Sequence, residues 1–317
     1  MDIRHVTVFG ASGFIGRHVV QRLARLGLRV TAATRRPQRA RFLRPMGDVG
    51  QVAPVMADVL DDGQVAAAVA GADAVVNLVG ILYERGRCRF DAVHARGAER
   101  VALAAAAAGA SRLVQVSAIG ADPAAPAAYA RSKAEGEVLV RAGFPTATIL
   151  RPSILFGPED DFFNRFAALA RFAPALPLFG GGTTRYQPVY VGNVAEAIVK
   201  GVTDPATAGK VYELGGPRIY SFAELMTLML AETGRRCNLV KLPFWTADVI
   251  GAVAGLAPGR PPLTRDQAKL LRRDNLVSEQ ALGLADLGIE PTACEVILPT
   301  YLDRFRRGGR VVPRAST

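Results

Sequence analysis

"VTVFGASGFIGRHV", residues 6–19, decides how the rest of the chain is read. A short β-branched apolar run ends at Gly10, and an amphipathic helical pattern begins after Gly13. Gly10, Gly13 and Gly16 therefore fill and follow a turn between a strand and a helix. Gly10 permits the tight turn, Gly13 the close approach of backbone to a pyrophosphate, and Gly16 the close packing of helix on sheet. Free N–H groups at the helix start would face the phosphates, and Ser12, Phe14 and Ile15 belong to the same cradle. The alternative is a plain glycine turn, but the flanking strand and helix supply the context a dinucleotide site requires.

Outward from this loop, strands and helices alternate. HVTVFG, RVTAAT, QVAPVM, AVVNLVG, RLVQVS and TATIL are short, β-branched and mostly apolar. Helix-like segments lie between them at 14–26, 62–70, 90–109 and 129–142. Near-continuous apolar strands separated by helices predict a parallel sheet covered on both faces. Right-handed crossovers make residues 1–150 a doubly wound α/β domain of the Rossmann type. After Leu150 the rhythm changes: loop-rich text surrounds helices near 161–171, 193–203 and 221–234, and KVYELGG at 210–216 reads as a strand returning to the sheet. Beyond Phe244 the text is helical, broken by Pro258, Pro261 and Pro262. Residues 151–317 are thus expected to form a smaller, interleaved carboxy-terminal domain. It would cap the carboxyl ends of the strands, where open α/β sheets bind ligands.

Composition narrows the function. The formal net charge is +11, and residues 1–47 hold ten Arg against one acid, Asp2. Such an excess favours an acidic partner (a phosphorylated cofactor, anionic lipid, an acidic protein face or nucleic acid), or it reflects genome composition. No aromatic-basic groove motif supports nucleic acid. Cys88, Cys237 and Cys294 have neither metal nor redox spacing, and His5, His18 and His94 form no ligand pattern. With no signal-peptide pattern and no apolar run of membrane-span length, the expectation is a cytoplasmic, reduced chain without a transmembrane segment or a metal.

The strand ends carry the cofactor signals. An acid after the second strand would hold the ribose 2′-hydroxyl of NAD, but this chain reads AATRRPQRAR. Arg35 and Arg36 suit a 2′-phosphate instead, so NADP(H) is favoured, with solvated surface arginines as the alternative. Asp58, after the third strand, is placed to accept from the adenine amino group, with Val59 beside the ring. Val79 and Gly80, after the fourth, suit close backbone approach. Ser117 ends the fifth strand, and Tyr129 and Lys133 follow in YARSKAEGE, four residues apart on one helical face. A chance Y-x-x-x-K is common enough to be weak alone; its position after the fifth strand sharpens it.

The glycine loop, Asp58, Ser117, Tyr129, Lys133 and LRPSILFGP together resemble the short-chain dehydrogenase/reductase superfamily, extended type. That resemblance implies Tyr129 as general acid/base, Lys133 as the group that lowers its pKa and bonds the nicotinamide ribose, and Ser117 as the orienting group. Pro152 of the LRP motif completes the implied cofactor contacts. Departures stand beside it. DAVHARGAER offers His94 where many members have an Asn. RYQPVYVGN places Tyr186, Gln187, Gly192 and Asn193 where nucleotide-sugar enzymes carry charged groups, which argues against a nucleotide-sugar diphosphate substrate.

A narrower resemblance fits those departures. NLVGILYERGRCRFDAVHARGAERVA, YARSKAEGE, ILRPSILFGPEDDFFNRFA and LPLFGGGTTRYQPVYVGNVAEAI are similar to the nucleotide-binding accessory subunits of respiratory complex I, the alpha-subcomplex subunit nine family, with this chain as a bacterial relative. The resemblance implies NADPH held in a structural role. It also implies peripheral-arm subunits of NADH:ubiquinone oxidoreductase as partners and a place at the cytoplasmic face of the inner membrane, where the basic charge would favour anionic lipid contact. The other reading is a free-standing NADP-dependent oxidoreductase, or an epimerase or dehydratase, using Ser117, Tyr129 and Lys133. Two apolar stretches stay open as well. Phe162, Phe163, Phe166, Leu169 and Phe172 form a substrate lid or a packing face, and PFWTADVIGAVAGLAPG forms an interfacial or partner-binding helix or simple core.

Overall fold

The computed structural model describes residues 3–254, 261, 263–306 and 308. In chain order the first elements are β1 (His5–Phe9), α1 (Phe14–Arg25), β2 (Arg29–Thr34), β3 (Val52–Met56), α2 (Asp62–Val69) and β4 (Ala74–Asn77). A π-helical turn at Asp91–Arg96 then leads into α3 (Gly97–Ala107), followed by β5 (Arg112–Val116), α4 (Ala128–Gly143) and β6 (Thr148–Pro152). Next come β7 (Leu155–Phe156), α5 (Phe163–Leu169), β8 (Ala175–Phe179), β9 (Arg185–Tyr186), β10 (Val189–Tyr190), α6 (Val191–Thr203) and β11 (Val211–Leu214). The last are β12 (Tyr220–Ser221), α7 (Phe222–Thr233), β13 (Asn238–Leu242), α8 (Phe244–Ala254), α9 (Arg265–Leu270) and α10 (Cys294–Leu302).

Contacts divide the chain into two interleaved units. The first comprises Met1–Pro152, Val191–Leu214 and Val277–Glu290. Its seven-stranded sheet has the order β11-β6-β5-β4-β1-β2-β3, and every pairing is parallel. The order reverses between β1 and β4, which creates a crevice at the carboxyl ends of the strands. Adjacent residues of β5 separate the two faces. Leu113 packs in the cluster that includes Val101 and Ala102 of α3 and Val140 of α4, whereas Val114 lies against Gly201 of α6. Because successive side chains point to opposite faces, helices cover both, and β1 is buried along its whole length. β3 is an edge strand, which is why the sheet tolerates Pro54 there. The strand read at 210–216 is β11, paired with β6.

The second unit comprises Ser153–Tyr190, Gly215–Leu276 and Pro291–Thr317. Its sheets are two-stranded: β10 with β7, β12 with β9, and β13 with β8. An aromatic core holds it together, in which Phe163 is fully buried and Phe162 and Phe166 lie edge-on to Phe222. Three of the five residues of the phenylalanine stripe therefore pack inside this unit, while Leu169 and Phe172 are exposed. In α8, Ala247 is buried but Trp245 is 64% exposed, with Val249 and Ile250 also exposed, so these turns are not simple core. The end of that apolar stretch, residues 255–259, and Pro262 lie outside the described residues. Among the described residues no helix is long and apolar enough to cross a membrane.

Candidate nucleotide site

All the residues singled out for the cofactor come from the first unit, at or just beyond the carboxyl ends of β1 to β6. Gly10 leaves β1 at φ 76° and its N–H donates to the Ala33 carbonyl (3.1 Å), which stitches the loop to β2. Gly13 N–H donates to the Gly10 carbonyl (2.9 Å), and Ser12 Oγ lies 3.1 Å from Thr34 Oγ1 at the end of β2. A Cβ at Gly16 would collide with the carbonyl oxygens of Gly10 and Ala11, so only glycine lets α1 start so close to the strand. No side chain caps α1 and no acid occupies its first turn. Its leading N–H groups, at Phe14 and Ile15, are thus available to an anion.

Beyond β2, Arg35 and Arg36 are exposed, and Arg35 Nη1 donates to Cys88 Sγ (3.4 Å). Beyond β3, the buried Asp58 accepts from Leu60 N–H (3.1 Å) and from Arg87 Nη2 (2.5 Å), while Val59 packs against Gly97. Beyond β4, Val79 N–H donates to Asn77 Oδ1 (3.1 Å). A Cβ on Gly80 would stand 3.4 Å from Lys133 Nζ, so the bare backbone of this loop abuts the lysine.

Ser117, Tyr129 and Lys133 meet around the end of β5. Lys133 Nζ donates to the Val116 carbonyl (3.3 Å), one residue before Ser117, and lies 5.9 Å from the centroid of the Tyr129 ring. Ser117 Oγ is buried and has no hydrogen-bond partner among the described residues. An unpaired buried hydroxyl costs free energy, which a bound polar group would recover. Pro152 supports this corner through its carbonyl, which accepts from Ile119 N–H (3.1 Å).

The protonation states differ from those the reductase resemblance implies. Burial pushes the Tyr129 phenol up to about 12, although the residue as a whole keeps some exposure, and burial pushes the Lys133 ammonium down to about 8. At neutral pH the phenol is protonated. It can donate a proton or a hydrogen bond but is not a base.

His94 lies in the π-helical turn at Asp91–Arg96. Burial, with Lys133 nearby, pushes its imidazole down to about 2, so it is neutral. Nε2 accepts from Ile81 N–H (2.9 Å), so the proton sits on Nδ1, which donates to Ser132 Oγ (2.9 Å). Ser132 in turn donates to the Tyr129 carbonyl (2.8 Å). The ring stacks on Phe90 and meets Tyr129 edge-on at 5.3 Å. One neutral side chain thus ties the loop after β4 to the helix carrying Tyr129 and Lys133. Gly136 lets the two helices touch, since a Cβ there would strike the His94 carbonyl.

Sequence reasoning missed several supports. Asn77 Nδ2 donates to Gln115 Oε1 (2.8 Å), whose amide donates to the Val116 carbonyl (3.1 Å), the acceptor also used by Lys133. Polar residues inside otherwise apolar central strands were the available signal. Arg151 bridges Glu137 of α4 (2.6 Å) and Glu213 of β11 (3.4 Å) and fixes the far end of the Tyr–Lys helix. The contacts of Arg87 and Cys88 were illegible in a segment that reads as solvated charge.

The donor set fits a nicotinamide dinucleotide: an uncapped helix start for phosphates, exposed backbone at Gly13 and Gly80, and an unpartnered hydroxyl beside a tyrosine and a lysine. Comparison with known proteins agrees. Residues 10–205 match the family described as NAD(P)H-binding. The chain is 38% identical to the mitochondrial NADH dehydrogenase [ubiquinone] 1 alpha subcomplex subunit 9 of Arabidopsis thaliana, over 96% of this chain and 78% of that protein. It is 36% identical to its namesake from Mus musculus, over 95% and 80%. A ceramide reductase of Caulobacter vibrioides is 32% identical over 75% of this chain and 73% of its own. An NADPH-dependent quinone oxidoreductase of Escherichia coli, solved with NADPH, superposes with a TM-score of 0.72 at 20% identity, covering 94% of this chain and 98% of its own, which shows the shared fold.

Proposed function

This chain belongs to the NAD(P)H-binding family and, within it, to the family of complex I alpha-subcomplex subunit 9 proteins, and from that premise we propose that it is an NADP(H)-binding accessory subunit of respiratory complex I. One observation carries the reading: the similarity to the subunit 9 proteins runs along nearly the whole chain and spans both units. In this role Gly10, Gly13 and Gly16, with the N–H groups of Phe14 and Ile15, hold the pyrophosphate. Arg35 and Arg36 hold the 2′-phosphate, which favours NADP(H) over NAD(H). Lys133 bonds the nicotinamide ribose, and the tightly held nucleotide stabilises the fold by linkage. Docking from the cytoplasmic face of a bacterial inner membrane, with basic surface toward anionic headgroups, belongs to the same proposal.

A second reading has its own support. Ser117, Tyr129 and Lys133 are all present, and the protonated Tyr129 is the form that would donate to a carbonyl while NADPH supplies hydride. The phenol therefore starts the reductive direction in the form it needs. Nucleotide retention and turnover distinguish the two. The binding role predicts NADPH that survives dialysis and a Tyr129→Phe variant that keeps both nucleotide and cellular role. Tyr129-dependent oxidation of NADPH with carbonyl substrates would overturn it in favour of the reductase.

A further inference from the structure

A short hairpin crosses the adenine end of the nucleotide site. Arg85 N–H donates to the Cys88 carbonyl and Cys88 N–H to the Arg85 carbonyl, both at 3.0 Å, which closes a two-residue turn. Gly86 takes φ 55° within it, a left-handed conformation open to glycine at no steric cost. The stem is anchored where Glu84 Oε1 accepts from the N–H of the buried Phe90 (2.8 Å). From this anchor the turn reaches two strand ends at once. Arg87 pairs with Asp58 beyond β3, and Cys88 receives the Arg35 guanidinium beyond β2. β2 and β3 are neighbours in the sheet, about 4.8 Å apart, so the hairpin straddles the two positions assigned to the 2′-phosphate and the adenine amino group.

The Arg87–Asp58 pair is asymmetric. The Arg87 side chain is 73% exposed, whereas the Asp58 side chain is 11% exposed and held by Leu60 N–H. One partner is free to swing and the other is not. We propose that Arg87 is an exchangeable ligand for the cofactor's 2′-phosphate: its guanidinium leaves Asp58 for the phosphate, and the released carboxylate accepts from the adenine amino group. The proposal rests on the NADP(H)-binding role and deepens it by naming a specificity residue on the loop after β4. A phosphate dianion offers a guanidinium more charge and the same bidentate geometry as a carboxylate, and the buried Asp58 that Arg87 leaves stays held by Leu60 N–H and gains the adenine amino group as donor. The exchange also discriminates. NADH gives Arg87 no phosphate to move to, so the pair stays closed and Asp58 stays engaged.

Calorimetric titration of wild type and Arg87→Gln with NADPH and with NADH tests this. The exchange predicts a rise of about tenfold in the NADPH Kd, the size expected from one charge-assisted hydrogen bond. The NADH Kd stays equal or falls, because Asp58 is now free, and Arg87→Lys recovers part of the NADPH affinity. Equal weakening of both nucleotides, or no change in either, overturns the proposal. A wild-type protein that binds neither nucleotide refutes the nucleotide-binding role itself, which is a separate outcome. Because Arg87 is mostly exposed, the variant's unfolding midpoint without nucleotide serves as the folding control.

Discussion

Acidification should loosen this protein through His94 before its carboxylates matter. The imidazole is neutral in the folded state because burial, with Lys133 beside it, holds its pKa down to about 2, against an ordinary value of 6.5. Between pH 6.5 and 2 the unfolded chain binds a proton that the folded chain refuses. Stability is therefore fully present above pH 6.5 and falls as pH drops through that window, by about 1.4 kcal/mol per pH unit from this one group. Going from pH 7 to pH 5 thus removes about 2 kcal/mol, or roughly 3 °C in unfolding midpoint for a chain of this size. The comparison that isolates the effect is thermal unfolding of wild type and His94→Gln at pH 7.5, 6.5, 5.5 and 5.0. Gln keeps a neutral donor and acceptor but does not titrate. Its loss of ring packing lowers the midpoint by the same amount at every pH, so the difference between the curves should shrink by roughly 3 °C toward pH 5. Parallel curves would refute the reasoning and mean that His94 accepts a proton in place.

Three further substitutions test separate parts of the site. Ser117→Ala should leave stability unchanged or raise it by up to about 1 kcal/mol in urea unfolding without nucleotide, because the buried hydroxyl it removes has no partner; a clear loss would mean the hydroxyl is bonded. Gly16→Ala should destabilise by about 1–3 kcal/mol and weaken nucleotide binding in calorimetry, since its methyl meets two carbonyl oxygens; wild-type behaviour would contradict the close docking of α1. Arg151→Met leaves Glu137 and Glu213 buried without their cation, for a loss of about 2 kcal/mol at pH 7, below the value for a fully buried pair because the guanidinium is partly exposed. Urea unfolding at pH 7 reads that loss, and wild-type stability would argue against the triad.

The sheet and the glycine loop were legible because both rest on local chemistry. Parallel strands buried on both faces must be apolar throughout, as VTVF and AVVN are, and a helix starting hard against a strand must have glycine at position 16. Elements that depend on partners distant in sequence were not legible. The π-helical turn at 91–96 has no composition signal separating it from the α3 pattern, so 90–109 read as one helix. The 3₁₀ segment Pro37–Met46 carries two prolines and three arginines, and RRPQRARFLRPM reads as a basic loop. The strands of the second unit at 155–156, 185–186, 189–190 and 220–221 are two residues long, too short for any periodicity. Residues 277–290 fall in text that reads as helical and as carboxy-terminal domain, yet they join the first unit where Ser278 N–H donates to Glu213 Oε2 (2.8 Å) and Tyr212 bridges Leu282. In the site, positions were readable and protonation was not. The spacing of Tyr129 and Lys133 places them together, but only the packing around them makes the phenol harder, rather than easier, to ionise.

The proposed role makes NADP(H) on this chain a resident part of respiratory complex I. Purifying the tagged chain from its own membranes at low salt, then measuring released nucleotide and co-purifying subunits in the same preparation, tests both halves of that role at once. The expected result is about one NADPH per copy of the chain, in a preparation that contains the flavin and iron–sulfur subunits of the NADH dehydrogenase. Recovery of the chain only in the soluble fraction, free of those subunits, or with NADH in place of NADPH, would contradict it.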